Sequence, residues 1–280
     1  MSRLPRYLRY LSPVNFATIV FIFIAVFPMY WAFATSMMTT EETFSWPPKL
    51  FPTAVHLSYF AYLITHTPVF GWMVNTIIVA VLTLLFSVPA SVLAGYGLYK
   101  YLRFRGRSWL MRFLFLVITI PPTVVIIPYY LMVDSWGLAD SLLGLAITYI
   151  VFTLPINVMV YFASLFSIPR EIQESAMVDG CSTLEAFVRI VLPLSKIGII
   201  AISVLTFTVA WNEFAFALTL LRTPSKWTAV IGLRSFVQQW TLDWNSIMLS
   251  AIIFTMPVII FYFITQKYFV EGMTKGALKF

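Results

Sequence analysis

Residues 171–194 read EIQESAMVDGCSTLEAFVRIVLPL. They bring Glu171, Glu174, Asp179, Glu185 and Arg189 together in a chain otherwise poor in charge. The 280 residues are 60% hydrophobic, 18% aromatic and 10% charged, with mean hydropathy +0.89. A soluble domain carries roughly 25% charged residues to cover its surface. Apolar runs of ~18 residues or more recur here, each long enough to cross a ~30 Å hydrocarbon core. The reading is an all-α polytopic membrane protein with spans near 14–34, 72–96, 110–131, 143–166, 199–221 and 246–266. Residues 171–194 fill the gap between the fourth and fifth.

The basic residues set an orientation. Fourteen of the 18 Lys and Arg fall at the termini, in the loop after span two and between spans four and five. Lys49, Arg222, Lys226 and Arg234 fall on the opposite side. The positive-inside bias then places both termini and residues 171–194 in the cytoplasm. Residues 1–13 form a cytoplasmic N-terminus and 14–280 a single transmembrane domain. Arg3, Arg6 and Arg9 before an apolar run resemble a signal peptide, but the run is too long and lacks a small-residue cleavage site. Basic residues that flank spans, without interleaved aromatics in one patch, argue against nucleic-acid binding. On the outer face, 35–71 is broken by SWPPKLFP. In the second outer loop, 222–245, SFVQQW suggests a short amphipathic helix, and Trp227, Trp240 and Trp244 an interfacial belt. His56 and His66, with no carboxylate or Cys alongside, read as solvated loop residues. The one cysteine, Cys181, excludes an internal disulfide and reads as a small helix residue.

Within 167–198, Pro169 and Glu171 suit the first turn of a helix. Ser167 could cap it, but Arg170 stands where a capping box needs Glu or Gln. Ile172, Ala176, Gly180 and Leu184 recur every four residues as one apolar face. Gly180 costs ~1 kcal/mol in a helix relative to Ala, so a turn is expected at 180–182. A second helix should then run to Leu192-Pro193.

The order of residues is specific. Glu174-Ser175-Ala176, three residues, Gly180, nine residues, Ile190, one residue and Leu192-Pro193 resembles the EAA motif of ABC importer permeases. Ser175 for the middle Ala is the one departure inside it. Ile197 stands where that family usually has Pro before Gly198, which implies a gentler start to span five. Asn75-Thr76, Gly137-Leu138-Ala139-Asp140-Ser141, Trp211-Asn212-Glu213-Phe214 and the tail Val270–Ala277 extend the likeness over nearly the whole chain. The closest likeness is to the maltose-type carbohydrate importers, second permease subunit.

That resemblance implies a type I importer permease fold in a prokaryotic inner membrane. It implies that 167–198 is a coupling segment docked on an ATPase, with Glu174, Ala176, Asp179 and Gly180 at the contact and Ser175, Ile190, Leu192 and Pro193 completing the motif. The implied partners are a homologous second permease, two ABC ATPase subunits, an extracytoplasmic sugar-binding protein, a sugar and membrane lipid. ATP and Mg would bind the ATPases. No Gly-rich phosphate loop occurs in this chain, so no cofactor and no catalysis are expected of it.

Polar residues inside spans usually face a bundle interior or a wet cavity. Asn157 lies next to Pro155 in span four. Glu213 lies ~21 Å along span five, beside Asn212. Each either lines the sugar pathway or bonds across helices. An ion-coupled secondary transporter is the main alternative. It calls for midplane ionisable groups and inverted repeats, and one intramembrane carboxylate is present. An intramembrane enzyme lacks its acid–base set.

Overall fold

The structure, a computed structural model, describes residues 13–56, 58–101, 105–237 and 244–277. Arg3, Arg6, Arg9, Arg103, Trp240 and Lys279 lie outside them. Every regular element among the described residues is helical, which suits backbone facing lipid, where amides must bond within their own segment. In chain order these are α1 (Pro13–Met37), α2 (Thr40–Thr43), α3 (Ser58–His66), α4 (Val69–Lys100), α5 (Arg107–Thr119), α6 (Ile126–Ser135), α7 (Leu142–Ser164), α8 (Arg170–Val178), α9 (Thr183–Ala186), α10 (Leu192–Leu194), α11 (Lys196–Asn212), α12 (Ala215–Leu220), α13 (Ala229–Ser235) and α14 (Trp244–Ala277).

Val14–Met37, Val69–Lys100, Leu142–Ser167 and Trp244–Tyr268 are unbroken and apolar over membrane-crossing lengths. They match the predicted first, second, fourth and sixth spans. The other two predicted spans are helical but interrupted. Across 110–131, Ile120 is extended before Pro121, as a residue preceding proline prefers. A 3-10 turn at Pro122–Val124 leads into α6. Across 199–221, α11 stops at Asn212 and α12 resumes at Ala215, with no proline or glycine to announce the break.

The chain divides into two compact units, Met1–Val69 with Leu233–Met256, and Phe70–Gly232 with Pro257–Phe280. In the first, the apolar window of α1 buries nothing, while its C-terminal end is tied down. Asn245 Nδ2 donates to Thr35 O at 2.8 Å and Met38 O at 2.7 Å, so a side chain satisfies carbonyls that a helix end leaves open. The outer loop is organised by Glu42, which forms a capping box with Thr39 and accepts from Lys49 Nζ at 3.3 Å and from Thr53. The Thr53 hydroxyl, then the Thr39 backbone, hold the Glu42 carboxyl down to about 2.

The second unit has two apolar layers. One holds Val79, Leu145, Tyr149, Trp211 and Leu220. The other holds Val92, Tyr96, Tyr161, Leu165, Phe187 and Ile202. Along α4, α7 and α11 the residues between these layers are Ser87, Thr153, Asn157 and Thr206, all buried. Phe261 of α14 stacks on Phe207 at 4.0 Å.

Loops assigned to one face meet one another in this unit. On the predicted outer side, Asn75 Nδ2 donates to Ser225 O and Trp227 O, and Asp140 binds the 222–226 turn. On the predicted inner side, Lys100 donates to Thr183 Oγ1 at 2.6 Å, and Tyr99 OH to Ile168 O. Trp227, expected in an interfacial belt, is half-buried with its ring 6.0 Å from Trp72. The segment before SFVQQW forms α13, and 238–243 lie outside the described residues.

Candidate functional site

The segment 170–194 is an elbow closed by two caps. α8 ends in a paired backbone closure. Cys181 N donates to Ala176 O at 3.0 Å and Gly180 N to Met177 O at 3.2 Å, with Gly180 at φ +96. This is the Schellman arrangement, whose left-handed residue is usually glycine. Two residues later α9 opens with a capping box, in which Ser182 N donates to Glu185 Oε2 at 2.9 Å and Glu185 N to Ser182 Oγ at 3.3 Å. The Ser182 backbone amide, then its hydroxyl, hold the Glu185 carboxyl below its ordinary 4.5. The turn predicted at 180–182 is therefore present. Ser182-x-x-Glu185 was its readable but unread signal. Ser167 does not cap α8. Its hydroxyl bonds Ser164 O at 2.8 Å, and Pro169 occupies the cap position without a side-chain bond.

Beyond α9, Phe187–Val191 forms one π turn, with Leu192 N reaching back to Phe187 O. Pro193 has no N–H for the carbonyl four residues back, so the chain leaves the α pattern here. The axis bends by 72° between Thr183–Leu194 and Lys196–Asn212. The gentler start expected from Ile197 is thus corrected. The bend is made at Ser195, before position 197, and needs no proline there. Gly198 has its own cause, because a Cβ would run into Ser164 where α7 crosses α11.

The motif residues separate by environment. Glu174, Ser175, Asp179, Gly180 and Pro193 are exposed, and Ile190 and Leu192 are half-buried. Ala176, expected at the outward contact, is 7% exposed and faces into the chain. The single stripe Ile172-Ala176-Gly180-Leu184 is also corrected, because the chain reverses at Gly180 and leaves Ile172 and Leu184 exposed. The outward surface is apolar with an acidic rim. Val178 is 87% and Leu184 67% exposed, with Met177 beside them. Behind it, Gln173 donates to Tyr96 and the Arg170 guanidinium lies 5.1 Å from the Tyr99 ring centre, fastening α8 to α4.

Each candidate pathway residue makes at least one hydrogen bond within the chain. Asn157 is wholly buried. Its Nδ2 donates to Thr206 Oγ1 at 2.7 Å and Ser87 Oγ at 3.2 Å, and Ser87 pairs with Thr153 at 2.8 Å. One amide thus links α4, α7 and α11. Asn212 is exposed and donates to Thr208 O of its own helix at 2.9 Å. Glu213 caps α12, accepting from Phe216 N at 2.9 Å and Ala217 N at 3.1 Å, while Tyr149 OH donates to it at 2.8 Å. A carboxylate suits the positive end of a helix. None of these hydrogen bonds joins one of the three residues to another.

Asp140 is a residue the sequence did not single out for a role. Its carboxylate accepts from Arg222 N at 2.9 Å, Thr223 N at 3.0 Å, Thr223 Oγ1 at 2.6 Å and Lys226 Nζ at 3.1 Å. Partial burial pushes its pKa up, but bonds from the Thr223 side chain and backbone, Lys226 and Arg222 outweigh it and hold the carboxyl well below the usual range. Asp140 is at φ 53, a left-handed conformation Asp adopts more readily than most residues.

The model of the family described as "binding-protein-dependent transport system inner membrane component" matches residues 87–275. The diacetylchitobiose uptake system permease protein DasC of Streptomyces coelicolor is 31% identical over 94% of this chain and 95% of its own. The trehalose/maltose transport system permease protein MalG of Thermococcus litoralis is 30% identical over 93% and 94%. A chain in the crystal structure of a bacterial ABC transporter that imports the acidic polysaccharide alginate superposes with TM-score 0.79 at 22% identity, covering 96% of this chain and 100% of that one. That last likeness speaks for the fold.

Proposed function

The chain belongs to the family of binding-protein-dependent transport system inner membrane components, and on that footing we propose that it is a permease subunit of an ATP-driven carbohydrate importer. The sugars in the names of its relatives support the cargo class. Both termini are on the cytoplasmic side. A homologous permease completes the pathway, two ATPase subunits bind the elbow face, and an external sugar-binding protein delivers cargo to the opposite face. ATP and Mg²⁺ belong to the ATPases, and this subunit performs no covalent chemistry.

The observation that carries this reading is the doubly capped elbow with its 72° turn into α11. A stiff lever transmits displacement, whereas a frayed loop absorbs it. Val178, Leu184 and Met177, rimmed by Glu174 and Asp179, give the motor subunit an apolar patch to grip and carboxylates to bond. Motion of the ATPases then tilts α11, which packs most extensively on α7, and opens the pathway alternately to each side. The ion-coupled alternative needs a free intramembrane carboxylate, and Glu213 is committed to Tyr149 and two amides.

Val178→Asp tests the assignment, since so exposed a side chain contributes little to this subunit's own fold. The variant should insert normally, while sugar-stimulated ATP hydrolysis by the reconstituted transporter drops at least ~tenfold, as for loss of an interface hot spot. Unchanged stimulation would count against docking at this surface.

A further inference from the structure

Two adjoining cavities lie beside α8 in the second unit. The larger is an open groove of about 990 Å³, walled by Ala94, Leu98, Leu110, Leu114, Leu154 and Val158 of α4, α5 and α7. The smaller is a recess of about 140 Å³ walled by Tyr99, Gln173 and Met177. Lys100, Arg170 and Glu174 line both. An apolar groove and a polar recess therefore share a border of two cations and one carboxylate. Lys100 contacts Thr183 and Arg170 overlies Tyr99; neither forms an ion pair among the described residues.

Gly97 also lines the groove. A Cβ placed there meets nothing within 4 Å, whereas one at Gly95 would press to 2.9 Å from Tyr161 Cδ1. Gly95 is explained by the α4–α7 crossing. Gly97 has no such neighbour, yet a helical glycine costs ~1 kcal/mol against alanine. It leaves the groove wall bare at this position.

We propose that this pair of cavities is a binding site for an anionic phospholipid. One acyl chain lies along the groove, and the phosphate sits in the recess between Lys100 and Arg170. Basic pockets between membrane helices on the cytoplasmic side suit anionic headgroups. On α5, which lines the groove through Leu110 and Leu114, Trp109, Phe113 and Leu116 are exposed, an apolar surface of the kind that faces acyl chains. A lipid held there fastens the first turn of α8 to the membrane. The proposal rests on the chain being membrane-embedded and is independent of the cargo.

Native mass spectrometry of the purified full chain tests it, with dioleoylphosphatidylglycerol and dioleoylphosphatidylcholine as probes. The wild type should retain phosphatidylglycerol in preference. Lys100→Gln with Arg170→Gln should lower that retention roughly tenfold and leave phosphatidylcholine unchanged. Gly97→Phe should displace both lipids by filling the groove. Equal retention of the two lipids by the wild type, or a double variant that keeps its preference, overturns the proposal. If Gly97→Phe does not fold, the double variant decides. A photo-crosslinker at position 97 that captures a partner protein in the assembled complex also overturns it.

Discussion

Asp140 and Glu213 show how much a single carboxylate can organise here. Asp140 joins distant parts of the chain by accepting the amides of Arg222 and Thr223. Glu213 does so by accepting the Tyr149 hydroxyl while it caps the nearby amides of Phe216 and Ala217, groups that need partners when buried. Because the folded-state pKa of Asp140 is depressed, its contribution is fully present above the ordinary carboxylate value of 3.8 and is lost only as pH falls through the lowered folded value. The 222–226 turn should thus stay protected from hydrogen exchange down to about pH 4. Asp140→Asn keeps the backbone preference but removes the charge. It should raise exchange of this turn at neutral pH, and equal protection in both proteins would refute the staple. Glu213→Gln leaves one amide oxygen for two N–H donors. A loss of about 1 kcal/mol in the chain's stability, typical of a lost cap, should accompany unchanged sugar affinity. A clear change in affinity with unchanged melting would restore Glu213 to the pathway. Neither role was legible in sequence. Tyr149 lies 64 residues from Glu213 and Thr223 lies 83 from Asp140, and no local pattern encodes such pairings.

At the scale of elements, local signals were readable where the chemistry is local. Gly180 marked a turn and Leu192-Pro193 the end of the elbow, while Pro121-Pro122, where the third predicted span breaks, went without a prediction of that break. The break at Asn212–Glu213 carries no glycine or proline. It exists because the Glu213 carboxylate competes with backbone carbonyls for the amides of Phe216 and Ala217. The polar layer of Ser87, Thr153, Asn157 and Thr206 was half visible. Asn157 stood out as polar in an apolar helix, but its hydroxyl partners look like ordinary span residues. The elbow's stiffness is testable through its left-handed residue. Gly180→Ala keeps the surface almost unchanged but strains the Schellman closure, at a cost of about 1 kcal/mol. Sugar transport should fall while membrane insertion stays normal. Ser182→Ala should show the same direction of change. Full transport by both variants would mean that the caps do not matter to coupling.

For the whole molecule, composition pointed to the membrane setting and the charge bias to an orientation, which belongs to the proposal. Contacts between loops assigned to the same face agree with how the loops were grouped, since Asn75 and Asp140 reach the 222–227 segment while Lys100 reaches α9. What composition could not supply is which helix faces are left for partners, because exposed apolar residues serve lipid and protein alike. The central claim is that 170–194 is a cytoplasmic lever gripped by an ATPase, and it can be measured directly. Cys181 is the only cysteine, so Cys181→Ser gives a thiol-free background into which Val178→Cys is placed. In the assembled transporter, a short thiol crosslinker should join position 178 to an ATPase subunit, and an impermeant maleimide should reach it only from the cytoplasmic side. Labelling from the external side, or no crosslink to any ATPase in an intact complex, would contradict the account.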